Sequence, residues 1–190
     1  MPISFDLENI RQTHNCMNYF ETGLWDPRQN VSSKQALKCN FDKVFCIEIR
    51  KDWVKLGQQI FKEDIESGRY NLYLDDSTNM KNYLTGDEWK HKTMFFLDAH
   101  VDNSNIHNYT KKCPLFEELS AIGNLERKDH IILIDDLRII KGRQFPWGER
   151  SYGNINFLEQ IKNKILSINE NYKFSTLNGH IENDVLIAYI

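Results

Sequence analysis

Two short apolar runs that end abruptly in carboxylates dominate the hydrophobic pattern of this chain. They are Thr93–His100, TMFFLDAH, and His130–Asp136, HIILIDD. Apolar residues at successive rather than alternate positions predict a strand buried on both faces, as in a parallel α/β sheet. In such sheets ligands bind outside the carboxyl ends of the strands. Asp98, His100, Asp135 and Asp136 stand at those predicted ends.

The rest of the chain alternates between strand-like and helix-like patterns. Asn18–Phe20 begins a short strand that ends at Glu21-Thr22-Gly23, and Ser32–Lys38 reads as a helix capped by Ser32 or Ser33. Lys43–Ile49 is a second strand. Lys51–Ser67 carries apolar residues at helical spacing (Trp53, Leu56, Ile60, Phe61, Ile65) and stops at Gly68. Tyr70–Leu74 is a third strand, ending in Asp75-Asp76-Ser77, and Thr78–Leu84 is a short helix. Beyond TMFFLDAH, Pro114–Ile122 is a helix with proline in its first turn. After HIILIDD a long loop, Arg138–Asn154, precedes an amphipathic helix over Phe157–Ile168. Tyr172–Leu177 and Asp184–Ile190 are closing strands separated by the turn dipeptide Asn178-Gly179. Strand–helix alternation predicts a mostly parallel sheet. The final pair predicts one antiparallel strand near its edge.

Size and charge narrow the function classes. At 190 residues the chain suits one domain, spanning residues 1–190. A net charge of -3 argues against bulk electrostatic binding of nucleic acid or anionic membrane. No segment approaches the roughly 20 apolar residues of a membrane span, and the N-terminus lacks the pattern of a secretory signal. None of Cys16, Cys39, Cys46 and Cys113 forms a C-x-x-C pair, so reduced, structural thiols in a cytoplasmic protein are expected.

Three short motifs carry a resemblance that extends from about Cys16 to the C-terminus. FETG (Phe20–Gly23) sets an acidic residue and a glycine after strand one, IEI (Ile47–Ile49) ends strand two with an acid, and LDDS (Leu74–Ser77) follows strand three. The pattern resembles the class I, Rossmann-like S-adenosylmethionine-dependent methyltransferases. That resemblance implies a three-layer α/β sandwich with a seven-stranded sheet whose last strand is antiparallel. TMFFLDAH, CPLFEEL (Cys113–Leu119) and ILIDDLR (Ile132–Arg138) look most like the small sugar or glycan O-methyltransferases of polysaccharide clusters and large DNA viruses. If the chain is viral, its cytoplasm is the host's. The first loop departs from the family's E/D-x-G-x-G-x-G, having one glycine in Glu21-Thr22-Gly23-Leu24-Trp25-Asp26-Pro27. A pyrophosphate would need the glycine-rich turn, so the departure weighs against a dinucleotide enzyme.

The resemblance assigns roles residue by residue. Glu48, 25 residues beyond Gly23, is expected to accept two ribose hydroxyls, or else to be a solvated strand-end charge. Glu21 would attract the cationic methionine end of the cofactor or form a salt bridge. Asp76 and Ser77, with Asp75 as alternative, would bond the adenine, a role compatible with capping the next helix. Asp98 would lie beside the transferred methyl. Asp98, Asp135 and Asp136 offer hard oxygen ligands to Mg²⁺ or Mn²⁺; their other reading is helix capping and a pair with Arg138. His100 is the candidate general base, unless it is a loop histidine bonded to backbone. His130 reads as structural. Arg143, Trp147 and Tyr152 would stack on a sugar, close the site or anchor their loop. The leading expectation is a sugar O-methyltransferase without nucleic-acid or membrane partners, homo-oligomeric assembly remaining open. Transfer to another small hydroxyl acceptor and an inactive cofactor-binding partner subunit are the alternatives.

Overall fold

The computed structural model describes residues 3–99, 113–141 and 156–190. Its helices are α1 (Leu7–Thr13), α2 (Ser32–Ala36), α3 (Lys51–Ile60), α4 (Lys62–Glu66), α5 (Leu115–Gly123), α6 (Leu137–Ile140) and α7 (Phe157–Leu166). Its strands are β1 (Asn18–Thr22), β2 (Lys43–Glu48), β3 (Tyr70–Leu74), β4 (Thr93–Leu97), β5 (Ile131–Ile134), β6 (Lys173–Leu177) and β7 (Val185–Tyr189). Short 3-10 segments span Ser77–Asn82 and Asp87–Lys90.

The seven strands form one sheet in the order β3-β2-β1-β4-β5-β7-β6. β1 to β5 pair in parallel, while β7 pairs antiparallel with both β5 and β6. The doubly wound architecture expected from the pattern is thus realised, with its antiparallel strand second from one edge. Apolar side chains leave both faces. One face packs Phe20, Phe45, Ile47, Phe95, Leu97, Ile132 and Ile134 against α5 and α7. The other packs Tyr19, Val44, Cys46, Met94, Phe96 and Leu133 against α1, α2 and Phe61. All five residues of β4 are buried, which explains its unbroken apolar run. Each such side chain contributes about 1.5–3 kcal/mol by leaving water.

Several elements differ from the expected ones for local reasons. The helix expected over Lys51–Ser67 breaks at Phe61, where φ is -102° and ψ 24°. Ile60 and Phe61 are adjacent and cannot both face the sheet; Phe61 is buried edge-on against Tyr70, and Ile60 is exposed. The segment after LDDS is a 3-10 turn rather than an α-helix. β1 ends at Thr22, within the expected Glu21-Thr22-Gly23 end, and Glu21 is its fourth residue. Ser33 does not cap α2, which starts after Val31; its hydroxyl is drawn to Glu21 instead. α1, capped by the Asp6 side chain at Asn9 N–H, and α6 were not expected. The four cysteines are free thiols, and burial raises Cys46 well above the ordinary thiol range. Among the described residues no helix is long and apolar enough to cross a membrane.

Candidate functional site

The strand order reverses between β1 and β4, because one crossover from β1 leads outward to β2 and a later one returns to β4 on its other side. Adjacent parallel strands whose connections diverge leave a crevice at their carboxyl ends. Gly23 and Asp98 sit there. The Gly23 N–H donates to Ile47 O at 2.8 Å, and its φ of 89° is one that side chains rarely adopt. A Cβ at this position would stand 2.8 Å from the Asp98 carbonyl oxygen. Glycine is therefore required both by conformation and by the approach of the β4 end. The Asp98 N–H in turn donates to Thr22 O at 3.1 Å and reaches Thr22 Oγ1 at 3.3 Å.

Glu48 ends β2 with its carboxylate turned back onto the first loop. Oε2 accepts from the N–H groups of Leu24 (2.8 Å) and Trp25 (3.1 Å), and Oε1 from that of Arg50 (2.7 Å). Burial raises its pKa, opposed by those three donors. Trp25, at φ 63° and exposed, is held in its left-handed conformation beside this anchor. The expected solvated strand-end charge is not what Glu48 is. With two bonds at Oε2 and one at Oε1, a single acceptor position remains, at Oε1. One ribose hydroxyl can be accepted there, rather than the expected two.

Glu21 shares the α2-facing side of β1 with Tyr19 and is fully buried. Tyr19 OH donates to Oε2 at 3.0 Å, and the Ser33 hydroxyl bonds Oε1 and lies 2.8 Å from Tyr70 OH. Burial raises the Glu21 pKa against the pull of the Ser32 and Ser33 hydroxyls. The expected salt bridge is absent from these contacts. The carboxyl ties β1 to α2 and β3 beneath the crevice.

Asp76 caps the 3-10 turn, accepting from Thr78 N–H at 2.9 Å and Thr78 Oγ1 at 2.8 Å. Asp75 accepts from Asp76 N–H, Asn79 Nδ2 and Tyr83 OH. Burial, followed by that bond to Asp75, lifts Tyr83 to about 12. Tyr83 also stacks on Tyr73, with ring centroids 4.4 Å apart. The capping role is thus present, and Ser77 is buried behind it.

At the β5 end, Asp135, Asp136 and Asp184 bring carboxylate oxygens within 4.8 Å of one another. Burial pushes Asp135 up, and the charges of Asp98 and Asp136 push it further. Asp136 adopts a left-handed conformation (φ 63°, ψ 41°), and its N–H donates to Asp135 Oδ1 at 2.8 Å. Arg138 Nη1 lies 2.5 Å from Asp136 Oδ1 and also pairs with Asp184. Asp184 accepts from Arg138 N–H at 2.8 Å as well. The pair with Arg138 is therefore made by Asp136, while Asp135 faces Asp98. Asp184 was missed in the sequence. It reaches this edge because β7 runs antiparallel, which sets its first residues beside the last of β5.

Glu118 was also missed, although it lies in CPLFEEL. It falls on the same stripe of α5 as Leu115, Leu119 and Ile122, and it is fully buried. A charge on an apolar stripe is a signal legible in the sequence. His130 is buried and neutral: Nδ1 accepts from Thr93 N–H at 3.1 Å, and burial lowers its pKa to about 4. Its structural reading fits that geometry. His100, Arg143, Trp147 and Tyr152 lie outside the described residues.

No known family description matches the sequence, and comparison with curated proteins finds no match. Solved structures do match. An O-methyltransferase from Bacillus cereus in complex with SAH is 12% identical, with a TM-score of 0.63 over 97% of this chain and 78% of that one. The O-methyltransferase TomG from Streptomyces achromogenes, involved in tomaymycin synthesis and in complex with SAM, is 10% identical with a TM-score of 0.62, covering 97% and 77%. The methyltransferase domain of bacterial CtHen1-CN is 11% identical with a TM-score of 0.56, covering 95% and 92%. At such low identity the likeness is one of architecture, and this chain has the Rossmann-like fold that these methyltransferases share.

Proposed function

We propose that this protein is an S-adenosylmethionine-dependent O-methyltransferase whose acceptor is a hydroxyl of a sugar or glycan. The observation that carries the reading is the crevice at the divergence of β1 and β4. There Gly23 closes against Asp98, and Glu48 shapes a first loop with no phosphate cradle. The likeness to folds solved with SAM and SAH supports it. The glycan class rests on the resemblance of TMFFLDAH, CPLFEEL and ILIDDLR.

In this reading Gly23 lets backbone approach the cofactor, and Glu48 Oε1 takes one ribose hydroxyl. Asp76 and Ser77 receive the adenine, and Glu21 acts from below by fixing β1 and α2. When bound, S-adenosylmethionine supplies a methyl group made electrophilic by its sulfonium charge. Asp98 borders the acceptor, and His100 takes the hydroxyl proton as the oxygen attacks.

The β5 carboxylates fit a hard divalent cation by their oxygen donors and by the repulsion that lifts Asp135. Asp135 and Asp136 would hold it together with Asp184, whose oxygens meet theirs, and with Asp98, whose charge reaches Asp135; Arg138 shares Asp136 and Asp184. Such a cation would lower the pKa of vicinal hydroxyls.

Parallel calorimetry with S-adenosylmethionine, S-adenosylhomocysteine and NAD tests the cofactor class. Binding of both sulfur compounds is expected; binding of NAD alone would overturn the reading. A panel of reducing sugars and glycans with labelled cofactor then tests the acceptor, and transfer confined to non-sugar hydroxyls would remove the glycan assignment.

A further inference from the structure

Glu118 is a costly residue to keep where it is. It sits on the sheet-facing stripe of α5 with no exposed surface. Neither carboxyl oxygen has a partner at strict hydrogen-bond geometry among the described residues. The hydroxyls of Ser77 and Thr22 lie close enough to draw its pKa down, but burial outweighs them. The nearby charges that act most strongly on it, Asp76 and Glu117, are both negative and raise it further. The Cys113 thiol, itself raised to about 12 by burial, also feels it. A leucine would fill the same stripe without these costs.

The two hydroxyls that face this carboxyl belong to the crevice. Thr22 is the last residue of β1, immediately before Gly23, and its Oγ1 is approached by the Asp98 N–H at the end of β4. A hydroxyl that accepts there keeps its own proton to donate elsewhere. Ser77 opens the 3-10 turn after β3, next to Asp76. One side chain thus lies near hydroxyls at the carboxyl end of β1 and just after β3, two of the segments that carry the cofactor reading.

We propose that Glu118 is a positioning residue for the cofactor pocket, holding Thr22 with the Gly23 loop and Ser77 with the Asp76 turn through their hydroxyls. It acts from behind the pocket and does not touch the cofactor, since it is fully buried. The proposal rests on the S-adenosylmethionine reading. Its chemistry depends on ionisation. As a carboxylate, Glu118 offers acceptor positions to both hydroxyls, and closing onto them pins both segments. As a neutral acid it has one donor and one acceptor, so one hydroxyl must turn round. Its pKa, raised to about 8, puts this change just above neutrality.

The test is calorimetry of S-adenosylhomocysteine binding from pH 6.5 to 9, with thermal unfolding of every protein alongside. Wild type is expected to bind more tightly as pH rises through about 8, by roughly threefold or more. Glu118→Gln, which keeps the shape and cannot ionise, is expected to lose that rise and to bind more weakly than wild type at pH 9. Asp135 is also raised by burial, but it is present in both proteins, so the difference between their profiles belongs to Glu118. Ser77→Ala in the Glu118→Gln background is expected to add less than it does in wild type. Glu118→Gln with unchanged affinity and an unchanged pH profile, whatever its melting temperature, would overturn the proposal. Failure of wild type to bind either sulfur compound at any pH would instead overturn the cofactor reading beneath it.

Discussion

Replacing Glu48 separates its two roles, one in holding the first loop and one toward ribose. Glu48→Ala removes the acceptor of three backbone N–H groups, those of Leu24, Trp25 and Arg50. Leu24 is fully buried, so its N–H is left without water or partner. A bond to a charged acceptor contributes about 1.5–3 kcal/mol, and a stranded buried donor costs about 1–3 kcal/mol. Trp25 and Arg50 have access to solvent and recover part of their loss. The sum expected is about 4 kcal/mol, which lowers the melting temperature of a chain this size by roughly 8–16 °C. Glu48→Gln should do less harm. Its oxygen can still serve Leu24 and Trp25, while its amide group meets the Arg50 N–H donor to donor, at a cost of about 1–3 kcal/mol. In that variant the free acceptor position at Oε1 is gone, so affinity for S-adenosylhomocysteine should fall about tenfold. Differential scanning calorimetry and titration calorimetry on the three proteins decide the matter. An unchanged melting temperature in Glu48→Ala would refute the loop-holding role. An unchanged affinity in Glu48→Gln would refute the ribose contact and leave Glu48 as a loop anchor.

Gly23→Ala should destabilise the protein and weaken cofactor binding together, because φ is 89° and the added Cβ meets Asp98 O at 2.8 Å; a fully stable, fully binding variant would show that the β1 and β4 ends separate freely. His130 is neutral in the fold, with its pKa lowered to about 4, so the unfolded chain takes up the extra proton first. Its contribution is complete above about pH 6.5 and is lost as pH falls toward 4, a difference of about 3 kcal/mol. His130→Asn, compared by urea unfolding at pH 7.5 and 4.5, should lose less stability over that interval than wild type. Transfer should require Mg²⁺ or Mn²⁺ and drop at least tenfold in Asp98→Asn and Asp135→Asn; full activity after exhaustive chelation would shift the burden to a side-chain base. In that case His100→Ala should abolish the rise of rate with pH near 6.5, and a wild-type profile would remove His100 from the reaction.

The resemblance named motifs at the ends of β1, β2 and β3, and those residues do come to one edge of the sheet. Their side chains were less legible. The sequence sets Glu21 at the end of its strand and cannot say which face it takes; the pleat of β1 puts it on the buried face with Tyr19. Glu48 was read as free for a ligand, since nothing in IEI announces that the backbone of Leu24 and Trp25, far away in the chain, will fold onto it. Asp136 looked like a twin of Asp135. Its left-handed backbone sends it toward Arg138 instead.

The sequence by itself determined the order of the strands, the parallel sheet and the edge at which acidic residues collect. Those depend on hydrophobic period and on where apolar runs stop, which are local properties that burial enforces strand by strand. Tertiary structure decided which acids meet. Asp184 joins Asp135 because β7 is inserted antiparallel beside β5, and Glu118 comes near Ser77 because α5 packs against the 3-10 segment that follows β3. Such contacts join residues far apart in the chain, and the direction of each carboxyl is set by the donors it finds after folding.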